Sequence, residues 1–347
     1  MSEPGTTGVL LEPSSRAGHS RFVELIVETQ PATVVDALAL AARLASSGAT
    51  PGRGETAQVW EALATLGALD LGFVRAVEPH LDAVAILEQA GHAVAPGSWG
   101  VFAAEGGDDP LVATKTEAGW VLDGTKVWCS LAAILDHALI TAKVGDDRGL
   151  FAVDLRMPGV TVIEGAWHAR GLTEIPSGPV RFSAVPAAAV GEPGWYLSRA
   201  GFSWGGIGVA ACWFGGAVGL ARTLYEASIR RPDDQVLLMH LGAVDEALQS
   251  ARRAVVEAAG VIDAAASSVG DDSNSRLLAK RVRATVARAV DEVISRSGRA
   301  LGPAPLAHDD THAKRVADLT LYVRQYHAER DEISLGRALV AEGGAPW

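Results

Sequence analysis

The hydrophobic period of this chain changes twice, and those two changes decide what it can fold into. Before Trp99 the apolar residues recur at helical spacing. Pro31-Ala32-Thr33 predicts a helix running to Ala45, stopped by Ser46-Ser47-Gly48 and Pro51. A second helix is expected from Glu55 to Leu66, and a third from Pro79 to Gly91 with Leu81, Val84, Leu87 and Glu88 at helical spacing. Short β-rich runs then take over: Val101 to Ala104, Gly119 to Trp128, Ala138 to Lys143, Leu150 to Leu155, Val160 to Ile163 and Pro179 to Val185. Turn clusters such as Gly106-Gly107-Asp108-Asp109-Pro110 and Gly145-Asp146-Asp147-Arg148-Gly149 separate them. Short strands without intervening helices imply an antiparallel barrel or sandwich and exclude a parallel dinucleotide fold. After Gly191-Glu192-Pro193-Gly194-Trp195 the helical period returns. Leu237, Leu241, Val244, Leu248, Ala251, Val255, Ala258 and Ile262 step alternately by four and three, as a bundle seam does. Leu278 to Val293 makes a second seam and Val316 to Leu339 a third; with Gly205 to Arg230 they predict a four-helix bundle. The expected class is mainly α with a central β-barrel: a helical unit over 1–97, an antiparallel β-barrel over 98–196 and a C-terminal four-helix bundle over 197–347.

Composition narrows the function. A net charge of -11 argues against nucleic acid and anionic membrane surfaces, which need a basic footprint. Two distant cysteines, Cys129 and Cys212, stand in apolar surroundings and read as small buried hydrophobes in a reducing compartment. The most apolar segment, Ile207 to Leu220, is shorter than the roughly 20 residues that cross a bilayer. The start of the chain, with Glu3 and Pro4, lacks a charged-then-apolar leader, so a cytoplasmic protein is expected.

Gly119-Trp120-Val121-Leu122-Asp123-Gly124-Thr125-Lys126-Val127-Trp128-Cys129-Ser130 is the most informative stretch. Asp123-Gly124 between apolar runs predicts a two-residue hairpin turn, with Gly119 opposite Trp128 and Trp120 opposite Val127. Strand alternation then places the Trp128 indole and the Ser130 hydroxyl on one face, a ring and a hydrogen-bond donor suited to a planar heterocycle. A tryptophan packed in the core of the hairpin accounts for the same residues.

The stretch resembles the Gly-x-x-Leu-Asn/Asp-Gly-x-Lys-x-Trp-x-Ser/Thr hairpin of the acyl-CoA dehydrogenase superfamily. Ala103-Ala104-Glu105-Gly106-Gly107-Asp108-Asp109 is similar to a compressed form of its Thr-Glu-Pro-x-x-Gly-Ser-Asp segment. Val180-x-Phe182 and Val190-Gly191 resemble the end of its β domain, and Arg315-x-x-Asp318-Leu319 its late Arg-Asp helix. The resemblance implies a divergent member with a shortened N-terminal domain, an FAD enzyme dehydrogenating the Cα–Cβ bond of an acyl-CoA or acyl-carrier thioester, assembled as a homodimer or homotetramer. It implies that Trp128 lines the flavin edge and that Ser130 bonds the ring nitrogen that accepts hydride, where a fixed donor stabilises the arriving charge.

By the same resemblance Ala104 stands where the family has a flavin-contacting threonine, before Glu105. Arg230-Arg231-Pro232-Asp233-Asp234 replaces the Arg-x-x-Phe-Gly segment that reaches a neighbouring subunit's FAD, and Gly298-Arg299-Ala300-Leu301-Gly302 replaces a Gly-Gly-x-Gly element. No Glu-Gly-Thr base follows the Arg-Asp pair; His327, Glu329 and Asp331 are the candidates for proton abstraction, with Glu105 more distant. A late histidine also resembles the flavin monooxygenase branch of the fold, to which hydroxyphenylacetate and dibenzothiophene monooxygenases belong, and a non-catalytic ligand-binding relative is a third possibility. Gly206-Ile207-Gly208-x-x-Ala211 mimics a dinucleotide fingerprint but is better explained by close helix packing. His308-Asp309-Asp310-Thr311-His312 is better read as a helix N-cap than as a metal site.

Overall fold

The computed structural model describes residues 8–11, 19–266, 273–345 and 347; Glu3 and Pro4 lie outside them. The chain opens with α1 (Arg21–Thr29), α2 (Val34–Ser46), α3 (Thr56–Leu69) and α4 (Leu71–Gln89). Helix α2 starts where a capping box allows: the Thr33 hydroxyl accepts from the Asp36 N–H at 3.1 Å, and the Asp36 carboxylate accepts from the Thr33 N–H at 2.9 Å. The C-terminal carbonyls of α3 are met by Arg315, which donates to Ala68 O at 3.1 Å, and Asp70 then caps α4 by accepting from the Gly72 N–H at 2.7 Å.

Helix α4 begins eight residues before the expected start at Pro79, which lies in its interior. Proline removes one N–H, the partner of the Arg75 carbonyl, at a cost of about 3 kcal/mol in a helix interior. Burial on both sides of it, at Val74, Val77, Leu81 and Ile86, outweighs that loss.

Seven strands follow among the described residues: β1 (Trp99–Phe102), β2 (Val112–Thr116), β3 (Gly119–Lys126), β4 (His137–Val144), β5 (Asp147–Asp154), β6 (Val160–Val162) and β7 (Val180–Ala189). Strands β4, β2, β3, β7 and β5 pair in that order, and β5 returns to β4, closing a barrel. The ladder is mixed rather than antiparallel throughout, because β1 and β2 both run parallel to β4. Sequence pattern misses β2, whose residues apart from Ala113 are exposed.

The expected Asp123-Gly124 turn is not a turn. Residues 119–126 form one continuous strand; the hairpin closes at Glu117-Ala118, with Thr116 opposite Gly119. Asp123-Gly124 instead makes a bulge against β7. Gly124 has φ +116° and a Cβ there would lie 2.7 Å from the Pro110 carbonyl oxygen, while the Asp123 carboxylate accepts from the Ala184 N–H at 2.8 Å. Gly119 therefore does not face Trp128.

The C-terminal part comprises α5 (Trp195–Ser198), α6 (Ala200–Arg230), α7 (Gln235–Ala266), α8 (Ser273–Leu301), α9 (Ala304–His308), α10 (Asp310–Tyr322) and α11 (Glu329–Ala341). The first two seams are buried as expected, at Leu237, Val244, Ala251, Val255 and Ile262 and at Val282, Val286 and Val293. The third is broken: a 3-10 turn (Val323–Gln325) follows α10, Ala328 takes φ 44°, and α11 restarts on the acidic first turn of Glu329, Asp331 and Glu332. Helix α6 lies so close to α3 that a Cβ on Gly215 would meet the Ala64 carbonyl oxygen at 2.1 Å, which accounts for its small residues as packing. The helix is apolar and longer than the segment read from sequence, but 72% of its apolar window is buried inside the protein. Asp309 caps α10, accepting from the His312 N–H at 3.0 Å, as its spacing predicts.

Candidate active site

A cavity of about 580 Å³ opens where α4, the barrel end, α6 and the α10 to α11 turn meet. That volume lies within the ~300–1,000 Å³ typical of cofactor sites. Its β wall carries Trp128 and Ser130, as the sequence predicts, but not through strand alternation. Trp128 lies beyond the end of β3 with φ 60°, which turns a 56% exposed indole toward the cavity, edge-on to Trp167 with ring centroids 6.2 Å apart. The motif lysine has a different task. Lys126 is buried and donates to the Thr141 carbonyl and hydroxyl, each at 2.8 Å, and pairs with Glu105 at 3.3 Å, tying the 103–105 loop to the barrel. Burial lowers the pKa of Lys126, and Glu105 partly restores it.

Ser130 joins the two walls. Its hydroxyl accepts from the Arg75 guanidinium of α4 at 2.9 Å and lies 2.7 Å from the Ser177 hydroxyl. Ser177 donates to the Ile175 carbonyl at 3.0 Å, so the Ser130 proton is directed to Ser177, and Arg75 is the cationic donor beside it. Arg75 also sits over the Tyr322 ring, 5.7 Å from its centroid.

The helical wall is charged. Arg75, Glu78 and Asp82 lie three and four residues apart on α4 and share one face. Asp82 pairs with the buried Arg199 at 3.4 Å, and burial raises its pKa against the pull of that guanidinium. Glu78 is 8% exposed and accepts no hydrogen bond or ion pair among the described residues. Burial first, and the Asp82 charge second, push its carboxyl up to about 8, with Arg75 and Arg283 opposing.

Two seams hold the walls together. The Trp99 N–H of β1 donates to His80 Nδ1 on α4 at 3.2 Å, and burial pushes that imidazole down to about 4. Lys314 of α10 lies 2.9 Å from Asp70, 2.6 Å from Glu174 and 2.7 Å from Asp318, while Asp318 also accepts from the Leu172 N–H at 2.6 Å. Those three carboxylates converge, with oxygens within 4.8 Å of one another, and the ammonium sits among them. Asp318 of the Arg-Asp pair is thus a clamp between barrel and helices.

Of the residues singled out from sequence, Ala104, Glu105, Trp128, Ser130 and His327 line the cavity. Glu105 is held by Lys126, Arg148 and Thr141. Glu329 and Asp331 do not line it; the Asp331 carboxylate accepts from the His327 N–H at 3.1 Å at the restart of α11. Arg230, Gly298 and Gly302 also lie outside its lining, at the ends or along the flank of α6 and α8. Pro79 reads as a helix start in the sequence, which leaves Arg75 and Glu78 outside the expected helix and hides their shared face with Asp82. The spacing Arg75, Glu78, Asp82 across an uninterrupted helix was the available signal. Cys129 and Cys212 are buried thiols as expected, with burial pushing Cys129 up to about 12.

Residues 106–185 match the family model described as Acyl-CoA dehydrogenase, middle domain. Benzylmalonyl-CoA dehydrogenase of Aromatoleum aromaticum is 33% identical over 72 residues, 20% of this chain and 19% of that protein, so the match spans about a fifth of the curated relative. Among solved structures, butyryl-CoA dehydrogenase from Megasphaera elsdenii superposes with TM-score 0.79 at 17% identity, over 96% of this chain and 100% of that one. Dibenzothiophene monooxygenase from Paenibacillus sp. A11-2, also solved with FMN bound, gives TM-score 0.74 at 18% identity, over 96% and 94%. Nitrososynthase from Micromonospora carbonacea var. africana gives 0.76 at 17%, over 98% and 99%. With helices before and after a closed barrel, the chain has the acyl-CoA dehydrogenase fold, and residues 106–185 within it match that family's middle domain.

Proposed function

We propose that this protein is an FAD-dependent oxidoreductase that removes hydrogens across the Cα–Cβ bond of an acyl thioester, with the three units 1–97, 98–196 and 197–347 meeting at the cavity. The observation that supports it most is the Trp128 indole, turned out of the barrel into a cofactor-sized cavity beside the Ser130, Ser177 and Arg75 group. These residues fit a flat ring: the indole offers a packing face, and Arg75 and the serines offer hydrogen bonds at its edge. A bound flavin would supply the hydride acceptor. The chain's own part is to fix Trp128 against Trp167, orient Ser130 through Arg75, and screen the cavity from water with Tyr322, Leu172 and Val209. Arg230, Gly298 and Gly302, outside this cavity, fit a role at a second copy's cofactor in a homodimer or homotetramer.

His327 favours a second reading, oxygenation by the same cofactor, because it reaches the cavity where Glu329 and Asp331 do not. The purified protein, loaded with FAD or FMN, separates the two. Anaerobic bleaching by an acyl-CoA panel supports dehydrogenation, oxygen-dependent hydroxylation supports the monooxygenase, and failure to bind either flavin refutes both.

A further inference from the structure

Behind the α4 wall lies a second, much smaller chamber of about 30 Å³, lined by Trp60, Trp204, Arg199, Gly208 and Gln89 among others. Glu78 and Asp82 are the two residues it shares with the large cavity, so the carboxylates stand between the two spaces. Among the described residues, three buried donors of the chamber's lining have no protein partner: Trp60 Nε1, Trp204 Nε1 and Arg199 Nε. Trp60 is fully buried. About 10–15 Å³ with two to four polar partners suffices for an ordered water, so the chamber is roomy and polar enough for one or two. It reaches the surface beside the exposed Gln89.

The two carboxylates are not equivalent. Asp82 has the Arg199 guanidinium as its counter-charge, whereas Glu78 has no ion pair among the described residues and faces the space where a substrate would lie. An unpaired buried carboxylate is costly and a glutamine of the same shape would avoid that cost, so its position suits a group that gains and loses a proton. We infer that Glu78 is the acid–base group of the large cavity, taking the proton from the carbon next to the carbonyl of a bound thioester and passing it to solvent through water in the chamber. In that step the α C–H bond breaks, an O–H bond forms on the Glu78 carboxylate, and the electron pair remains on the substrate as its enolate. The step rests on the thioester reading above; the ionisation of Glu78 does not.

The charged and titratable groups around Glu78 are Arg75 and Asp82 on its own helix, Tyr196 of α5, Arg199 ahead of α6, Cys212 of α6, Arg283 of α8 and Tyr322 of α10. His327, Arg324 and Arg330 also line the cavity. Infrared difference spectra of flavin-free protein carrying 13C-labelled glutamate should show a protonated carboxyl that ionises as the pH rises through about 8. That signal should vanish in Glu78→Gln. A wild type without it overturns the assignment whatever the substrate.

The second arm uses flavin-loaded protein and a thioester with sulfur in place of the β carbon, and reads exchange of its α protons into heavy water. Glu78→Gln should slow exchange at least ~100-fold and Glu78→Asp less. Gly208→Ala, which places a methyl at the chamber 3.4 Å from Trp60 Nε1, should slow it severalfold. If the analogue binds and Glu78→Gln exchanges normally, the role of Glu78 is wrong and the thioester reading stands. If a titrating Glu78 is found and no analogue binds, the thioester reading fails and takes the proposed step with it. Unchanged exchange in Gly208→Ala overturns the chamber's part.

Discussion

The two walls of the cavity are built on opposite principles. The β wall is pre-shaped and its lining charge is paired: Trp128 is held out of the barrel by a left-handed backbone, Ser130 is fixed between Arg75 and Ser177, and Glu105 is held by Lys126 and Arg148. The α4 wall is charged and incompletely neutralised, with Arg199 serving Asp82 and, among the described residues, no cation in an ion pair with Glu78. A wall that receives a flat ring needs shape and a few fixed donors, whereas a wall that handles protons needs groups whose charge can change. The contrast teaches that a site's geometry and its proton chemistry can be carried by different parts of the chain.

The contact between the walls is pH-sensitive, and this is the largest expected effect. His80 must be neutral to accept from Trp99 N–H. Its folded pKa of about 4 lies below the ordinary 6.5, so the unfolded chain binds more protons between those values. Stability therefore rises with pH across that window and is lost on acidification, by about 3 kcal/mol for this group. Denaturant unfolding at a series of pH values, compared with His80→Gln, checks this; an unchanged slope in the variant contradicts it.

Lys314→Met separates the walls in another way, leaving Asp70, Glu174 and Asp318 facing one another. Since the ammonium is about a third exposed, solvent screening reduces the cost to about 2 kcal/mol, read as a lower Tm. Trp128→Ala addresses the β wall alone. It should weaken flavin binding about tenfold or more, on the scale of ring stacking, while leaving Tm nearly unchanged because the indole is 56% exposed. A large fall in Tm would make Trp128 a core residue instead. The smallest effect is expected from Ser177→Ala, about 1 kcal/mol in flavin affinity or less. It frees the Ser130 proton, so flavin binding should fall less than in Ser130→Ala.

The same contrast explains what the sequence could and could not say. The period changes were readable because burial follows spacing, which is why the seams at Leu237 to Ile262 and Leu278 to Val293 are found where expected. Motif residues Trp128 and Ser130 were readable as a pair, but the route that brings them to the cavity was not. A two-residue turn and a bulge are both served by Asp123-Gly124, and only the partner strand β7 decides between them. Proline at position 79 looked like a boundary because local propensity opposes it inside a helix; tertiary burial overrides that preference. Arg75 and Glu78 were lost with it. The break at Ala328 likewise is not written in the spacing of Val316 to Leu339; it follows the buried Tyr322, Val323 and Tyr326 at the end of α10.

The most direct test of the central claim is the flavin content of the wild-type protein. Titrated with FAD or FMN and freed of excess, it should retain about one flavin per chain, with tryptophan fluorescence quenched in step and most of that quenching absent in Trp128→Ala. A protein that stays colourless with both flavins, or that binds one without any response from Trp128, would contradict it.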